Sequence, residues 1–523
     1  MRQFFAALIA FAFATPSVAE WREAQGEHFV VYADADAEDL LRFAVTLEQY
    51  HAAMAAVTGI DPPSPSPSNR IAIYVVGSDE ALLQLAGPSL PETVKGFYLP
   101  RAGSSRAFVP QIASGNASLD FADIVFLHEY AHHFLMSNTR FPMPRWMNEG
   151  AAEFFASARF PRDGSVEIGR PANHRGRELQ FAEKVTVAEL VDPALYEKRR
   201  GTAYRAFYGR AWGLYHYLTF DEGRARQLDT YRRLLTDGKT SASAAAEAFG
   251  DLDALDAELD KYLKRTKMSG IVFAPRALTI RPVEQRVLTQ GHAAAMPAIM
   301  RLQRGMAPAA ARTLAPEMRA LAERYPGDAQ VFAALAEAER VSGDDDPAVA
   351  AADRALAIDP ALVAAHVQKG LALFRKAGKA DDKVAAYKLA MAAYAPLNKL
   401  ENDHPLPLSS LYQSYVRRGA APSPTARAAL MRAAEIAPFD QALWMNVAFL
   451  HAKEGRIAEA RKTLRPIIAS AHGGRLARDA QSLDAQLAEA TEGAPFRQTS
   501  GGPDGLRPDD GATEDTPDTQ TVR

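Results

Sequence analysis

The feature that most constrains this chain is the motif H-E-Y-A-H at residues 128–132, followed by W-M-N-E-G-A-A-E at residues 146–153. In a helix, residues four apart lie nearly one above the other, so His128 and His132 present two imidazoles to the same point. This spacing predicts a zinc (Zn²⁺) site on a helix. Glu129 would not bind the metal, but it is placed to act as the general base.

Two histidines leave the predicted site incomplete, because a catalytic zinc ion usually takes three protein ligands and keeps a fourth position for water or substrate. Pro142 and Pro144 predict a turn between the motifs, so the second helix can double back toward the first. Glu149 is then the predicted third ligand. Glu153 lies one turn further on the same face, where it can accept the spare N–H of a ligating imidazole; the alternative is an exposed carboxylate paired with an arginine.

In these residues the chain resembles the gluzincin metallopeptidases, which include thermolysin and the aminopeptidase N group. The segment W-M-N-E-G at residues 146–150 is similar to the W-L-N-E-G of the aminopeptidases. The segment F-Y-G-R-A-W at residues 207–212 resembles their Y-x-K-G-A segment, whose tyrosine binds the tetrahedral intermediate. The resemblance implies this role for Tyr208, with Tyr204 as the rival. Over most of its length the chain also resembles bacterial peptidase-MA-like proteins with tetratricopeptide repeats.

The resemblance implies zinc-dependent hydrolysis of peptide bonds, in which Glu129 takes a proton from water and Tyr208 donates to the developing oxyanion. Aminopeptidases of this group carry a G-x-M-E-N stretch whose glutamate binds the free amino terminus of the substrate. The comparable residues 96–100 read G-F-Y-L-P, which favours an endopeptidase or an unusual substrate. The competing interpretation is a catalytically inactive, zinc-stabilised interaction scaffold.

The chain around these motifs predicts an α+β unit. Residue patterns predict short strands at 28–32, 70–76, 96–99 and 106–109, and helices at 37–57, 119–136, 146–159 and 204–220, with further helical segments to residue 264. By resemblance to gluzincins, the edge strand of this small sheet would line the cleft and pair with an extended substrate. We expect a zincin-like metallopeptidase unit over residues 20–268. Residues 269–290 are expected to form a linker that holds one or two short strands.

From about residue 291 the chain is alanine-rich, with a 34-residue period between Pro326 and Pro360. Large and small residues fall at the positions typical of a tetratricopeptide repeat, namely Trp444, Val447, Ala448, Gly455 and Ala460, preceded by Ala426, Leu430 and Ala433 of the unit before. Stacked helix pairs bury a continuous core, so we expect an all-α repeat domain over residues 291–492 that binds a protein partner or substrate. The alternative is an unspecialised alanine-rich bundle.

The two ends of the chain predict export and disorder. Arg2, the apolar run 4–14 and the small residues 17–19 are typical of a signal peptide cleaved after Ala19, with an uncleaved membrane anchor as the alternative. The absence of cysteine suits the periplasm of a Gram-negative bacterium or the medium outside it. A net charge of −3 gives no electrostatic case for binding nucleic acid. Residues 493–523, which are rich in Gly, Pro, Asp and Thr, are expected to be a disordered tail.

Overall fold

The computed structural model describes residues 20–87, 95–112, 121–199, 204–470 and 473–497. The predicted signal peptide and most of the predicted tail lie outside these residues. Within them the chain is a mixed α/β protein, with a small sheet in its N-terminal part and a helical C-terminal half. The predicted order, a unit of mixed helices and strands followed by a helical half, is confirmed.

The N-terminal part is built around a six-stranded sheet. The strands of the described chain are β1 (Trp21–Gln25), β2 (Phe29–Asp34), β3 (Ile71–Val75), β4 (Phe97–Leu99), β5 (Arg106–Val109), β6 (Val166–Ile168), β7 (Ile271–Phe273) and β8 (Glu284–Val287). Their order in the sheet is β4-β5-β3-β2-β1-β8, while β6 and β7 form a separate pair. Strands β2, β3 and β5 run parallel, and β4, β1 and β8 are antiparallel to their neighbours. Strand β4 is therefore one edge of the sheet.

The helices of the N-terminal part surround this sheet. They are α1 (Ala37–Thr58), α2 (Asp79–Ala86), α3 (Phe121–Asn138), α4 (Arg145–Ala156), α5 (Gly176–Phe181), α6 (Val187–Val191), α7 (Pro193–Lys198), α8 (Phe207–Phe220), α9 (Gln227–Thr236), α10 (Ser241–Phe249) and α11 (Leu252–Tyr262). Side chains of a strand alternate between the two faces, so Ile71 and Ile73 of β3 join the core with α1 and α3, whereas Tyr74 packs on the opposite face with α2.

The C-terminal half consists of consecutive helices, most of which pack against the next helix in the chain. They are α12 (Gln290–Arg304), α13 (Pro308–Arg324), α14 (Ala329–Ser342), α15 (Asp345–Ile358), α16 (Val363–Lys379), α17 (Lys383–Ala393), α18 (Ala395–Leu400), α19 (Pro405–Val416), α20 (Pro424–Ile436), α21 (Gln441–Lys453), α22 (Ile457–Ile468) and α23 (Gly474–Ala488). Helix α14 also contacts both α12 and α16. Pro326 and Pro360 each follow a helix end by two residues, which accounts for the 34-residue period.

The two halves are not joined by a free tether. The segment expected to be a linker contributes β7 and β8, and β8 extends the sheet by pairing with β1. Helix α12 then covers the second face of the sheet, where Met296 and Met300 pack beside Phe97 and Leu99 of β4. The first helix of the C-terminal half is therefore part of the core around the sheet.

Further contacts tie later helices to loops of the N-terminal part. The hydrogen bonds run from Ser68 N to Glu401 Oε1 at 3.0 Å, from Asn69 Nδ2 to Ile436 O at 2.8 Å, and from Ala102 N to Asp440 Oδ2 at 3.1 Å. The guanidinium of Arg140, just after α3, lies 3.2 Å from the ring centroid of Trp444. The C-terminal half thus packs along the N-terminal part from α12 to α21. Among the helices described, none is long and apolar enough to cross a membrane.

Candidate metal centre

Helix α3 carries both histidines of the first motif. One side of this helix packs on the sheet and the opposite side packs on α4. On the sheet side, Tyr130 packs against Phe29 with ring centroids 4.8 Å apart. Tyr50 of α1 donates a hydrogen bond to the carbonyl of Leu127 at 3.1 Å. These contacts hold the helix on the sheet, so its other side, with His128 and His132, is directed toward α4.

Helix α4 carries the predicted acidic ligand, Glu149, and packs on α3 and α8. It begins directly after Pro144, whose extended backbone ends the turn that the two prolines predict. From Trp146 to Ala156 every residue is buried. Gly150 makes the close approach to α8 possible, because a Cβ atom added there would lie 2.4 Å from the carbonyl oxygen of Ala211. The glycine beside the acidic ligand therefore has a packing role that the motif alone does not reveal.

We expect Gly150→Ala to lower the free energy of unfolding by about 1–3 kcal/mol, because the added methyl meets backbone that cannot rotate away. The matched control is Gly176→Ala, since Gly176 is helical and a Cβ atom added there would have no other atom within 4 Å. That control should change stability by less than about 0.5 kcal/mol. Chemical denaturation followed by circular dichroism measures both, and equal stabilities of the two variants would contradict the packing argument.

Three side-chain atoms from α3 and α4 converge on one point. His128 Nε2 and His132 Nε2 are 3.0 Å apart, and Glu149 Oε2 lies 3.3 Å from the first and 3.5 Å from the second. Zinc–ligand distances of about 2.0–2.1 Å in a tetrahedron put neighbouring ligand atoms about 3.3 Å apart, so the observed spacing fits such an ion. All three side chains are buried, and among the described residues they form the one group of three that is spaced to hold a metal ion.

Each imidazole has a further polar neighbour on its other ring nitrogen. His128 Nδ1 lies 3.2 Å from Glu153 Oε1, and His132 Nδ1 lies 3.1 Å from Asn148 Oδ1. Such partners fix the orientation of a ligating ring and raise its basicity. Glu153 is only 1 % exposed, unlike the exposed carboxylate of the alternative interpretation. Asn148 had no predicted role, although it stands directly before Glu149.

Two residues that the sequence assigns no role hold Glu153 in place. They are His174 and Arg175, which lie on the 3₁₀ turn Asn173–Arg175. His174 Nε2 is 2.5 Å from Glu153 Oε2, and Arg175 donates to Glu153 Oε1 from Nε at 3.0 Å and also from Nη2. Burial opposes the charge of Glu153, but Arg175, His128 and His174 hold the pKa of this carboxyl well below its usual value. Glu153 therefore stays negatively charged beside His128 Nδ1.

The protonation of His128 depends on the same carboxylates. Burial alone would lower the pKa of this imidazole, but the neighbouring carboxylates of Glu149 and Glu153 raise it to about 10. A proton and a metal ion compete for the same Nε2 atom, so the proton must leave when a metal binds.

We therefore expect zinc binding at about pH 8 to release close to one proton from His128, and the apparent zinc affinity to rise by up to about tenfold per pH unit below pH 10. Isothermal titration calorimetry in buffers of different ionisation enthalpy measures the number of protons released. Glu153→Gln removes one of the two carboxylates and should reduce that number. A wild-type value near zero at about pH 8 would contradict this assignment.

Tyr208 lies at the start of α8, close enough to the ligand group for Glu149 to influence its hydroxyl. Burial first, and then the charge of Glu149, raise the pKa of Tyr208 to about 12, while Arg145 and Arg175 act in the opposite direction. The hydroxyl therefore stays protonated near neutral pH and can donate a hydrogen bond. The guanidinium of Arg175 lies 4.7 Å from the centroid of the Tyr208 ring.

The sequence predicts that Tyr204 lies one helical turn before Tyr208, and this prediction is wrong because Tyr204 is not part of the helix. The carbonyl of Tyr204 accepts a hydrogen bond from Glu183 N at 2.8 Å, and Ala206 N donates back to Glu183 O at 2.9 Å. This pairing keeps the backbone extended, so α8 begins only at Phe207. The side chain of Tyr204 is 65 % exposed, whereas Tyr208 is the tyrosine whose hydroxyl the charge of Glu149 influences.

Glu129 and strand β4 complete the surroundings of the ligand group. Glu129 is buried on α3 beside His128, and its charge contributes to raising the pKa of Tyr98 of β4 after the larger effect of burial. Tyr98 Oη lies 2.5 Å from Nδ1 of His133, the residue after the second predicted ligand. Burial lowers the pKa of His133 to about 3, so this imidazole is neutral. The edge strand is thus joined to the helix that carries both histidines.

The comparisons with known proteins concern the segment that contains this centre. Residues 125–237 match a family whose description is "Protein of unknown function (DUF1570)". The matched segment contains the three predicted ligands His128, His132 and Glu149. It also includes the whole of α4 and α8. No curated protein and no solved structure matches the chain.

Proposed function

We propose that this protein is a zinc-dependent peptidase of the gluzincin type. The observation that carries the proposal is the convergence of His128, His132 and Glu149 within 3.0–3.5 Å of one another, with a buried glutamate between the two histidines in the sequence. Two imidazoles and one carboxylate are a ligand set typical of catalytic zinc, whereas structural zinc sites usually have four protein ligands that include cysteine. The chain has no cysteine.

In this proposal the metal ion supplies Lewis acidity, which polarises a carbonyl group and makes water more acidic. The chain's own residues do the remaining work. Glu129 takes a proton onto its carboxylate and later delivers it to the leaving amine. Tyr208 donates a hydrogen bond from its protonated hydroxyl to the oxygen on which negative charge develops. Glu153 and Asn148 keep the two imidazoles in their orientation.

Strand β4 is the proposed binding edge for an extended substrate. It lies at the end of the sheet, it packs against α3, and Tyr98 bonds to the residue following His132. A peptide that added to this edge would run past the ligand group. Strand β4 carries no acidic side chain that could bind a free amino terminus, because its residues are Phe97, Tyr98 and Leu99. An internal segment of a polypeptide is therefore the proposed substrate.

We also propose that the C-terminal half is a tetratricopeptide-type repeat domain. Helix α21 and helix α22 form a pair around a turn at Gly455, which has φ +77°. The repeat positions Trp444, Val447, Ala448 and Ala460 are all buried. Partner binding is expected on helical faces that the N-terminal part does not cover. Export to the periplasm remains part of the proposal and depends on residues outside those described.

The proposal is tested with the purified full chain and a quenched fluorescent peptide library. We expect cleavage by the zinc-loaded protein, no cleavage after treatment with a chelator, and recovery when zinc is added back. Casein serves as a protein substrate in the same three conditions. Stoichiometric zinc without any cleavage would contradict the peptidase assignment and favour the inactive scaffold.

A further inference from the structure

Arg175 touches three different groups around the candidate metal centre. Its Nε and Nη2 atoms bond to Glu153 Oε1, the carboxylate beside His128. Its Nη1 atom lies 3.5 Å from Glu178 Oε2 on α5. The guanidinium carbon lies over the ring of Tyr208, 4.7 Å from the ring centroid. The side chain is almost fully buried, which opposes its charge, but Glu153 and Glu178 raise its pKa above the usual value, so the guanidinium stays charged.

The contact with Glu178 leads to the start of α8. Glu178 Oε1 accepts a hydrogen bond from the backbone N–H of Gly209 at 2.9 Å. Gly209 directly follows Tyr208, and the N–H groups in the first turn of a helix have no partner within the helix. Glu178 therefore anchors the backbone that carries Tyr208, and Arg175 in turn lies beside Glu178.

We propose that Arg175 is a positioning residue that ties the orientation of the metal ligand His128 to the position of Tyr208. The first connection runs through Glu153. The second runs through the contact with the ring of Tyr208 and through Glu178 of α5, which accepts a hydrogen bond from the start of α8. The inference rests on the proposed function, because Tyr208 matters to turnover only if the site hydrolyses a substrate.

The geometry of these contacts requires an arginine. A guanidinium is planar and offers five donors together with a flat face, so it can bond to two carboxylates at its edge while it stacks on an aromatic ring. A lysine ammonium keeps the positive charge and can pair with Glu153, but it cannot also stack on Tyr208 and reach Glu178. The two connections can therefore be separated by substitution.

The experiment compares Arg175→Met and Arg175→Lys in the full chain, with Arg177→Met as the matched control. Arg177 lies two residues further along and is exposed. For each variant, chelator competition gives the zinc dissociation constant, thermal unfolding reports folding, and peptide cleavage at saturating zinc gives kcat and KM. The same Arg175→Lys substitution is also made together with Tyr208→Phe, which keeps the ring and removes the hydroxyl.

We expect Arg175→Met to weaken zinc binding by about 10–100-fold, the effect typical of losing a group that orients a ligand. Arg175→Lys should restore zinc binding to within about threefold of wild type, yet still lower kcat at least about tenfold with little change in KM. In the Tyr208→Phe background, Arg175→Lys should cause little further loss, because the hydroxyl that it positions is absent. Arg177→Met should behave as wild type.

Three results would overturn the inference. One is a zinc dissociation constant for Arg175→Met equal to that of Arg177→Met. Another is a wild-type kcat in Arg175→Lys. This measurement tests the inference even if Arg175→Met does not fold. The third is a loss from Arg175→Lys that is undiminished in the Tyr208→Phe background. If the wild type binds zinc but cleaves nothing, the proposed function fails. The link from Arg175 to His128 is then tested only by the zinc dissociation constants of the variants. A wild type that binds no zinc overturns both.

Discussion

Replacing Glu129 by glutamine is expected to lower kcat for peptide cleavage by about 10²–10⁴-fold while zinc stays bound at one ion per chain. Glu129 lies on α3 and is only 2 % exposed. It is not one of the three predicted metal ligands, which are His128, His132 and Glu149. Glutamine keeps the size of the side chain and one carbonyl oxygen, but it cannot accept a proton near neutral pH. The proton transfer should therefore be lost while metal binding and folding are kept.

Steady-state kinetics on a quenched peptide measure this effect, and elemental analysis after dialysis measures the zinc. Glu197→Gln is the matched control, because Glu197 lies on α7 with an exposed side chain. We expect that control to cleave at the wild-type rate. Turnover that survives in Glu129→Gln would exclude Glu129 as the general base, whereas joint loss of zinc and turnover would mean that Glu129 supports the metal site itself.

Replacing Glu149 by alanine should remove stoichiometric zinc altogether. Glu149 is fully buried, and its Oε2 atom lies 3.3 Å from His128 Nε2 and 3.5 Å from His132 Nε2. Without this carboxylate the site keeps only two imidazoles, fewer than the three protein ligands of a catalytic zinc site. We expect zinc content after dialysis to fall from about one ion per chain to below about a tenth, with peptide cleavage lost in parallel.

Thermal unfolding gives a second measurement of the same variant. A ligand present at about a thousand times its dissociation constant stabilises the folded state by about 4 kcal/mol. Added zinc should therefore raise the Tm of the wild type and leave the Tm of Glu149→Ala unchanged. Glu197→Ala should respond to zinc as the wild type does. A Glu149→Ala protein that still gains stability from one zinc ion would place the metal elsewhere.

The sequence predicted those parts of the centre that depend on helical periodicity. A spacing of four residues puts His128 above His132, and the same spacing puts Glu149 and Glu153 on one face of the next helix. The prolines between the motifs predicted the turn. These relations hold within a few residues of chain, so a single sequence is enough to read them, and the structure has both helices close to the predicted bounds.

The hydrogen-bond partners of Glu153 could not be predicted from such local spacing. One alternative for this carboxylate was pairing with an arginine, but nothing in the sequence pointed to Arg175 or His174. They follow Glu153 by about twenty residues and lie on a short 3₁₀ turn with no periodic pattern. The start of α8 is a similar case, because the pairing of Tyr204 with Glu183 decides where the helix begins. A local pattern does not contain a contact between distant segments.

By itself, the sequence determined a helix with two imidazoles on one side, a second helix with two carboxylates on one side, and an alanine-rich helical C-terminal half. Only the tertiary structure decided that β8 extends the sheet and α12 covers one of its faces, that Gly150 lets α4 meet α8, and that Arg175 lies between Glu153 and Tyr208. The physical reason is the range of the interactions. Helical geometry repeats every few residues, whereas packing and burial bring together groups that the chain separates by tens or hundreds of residues.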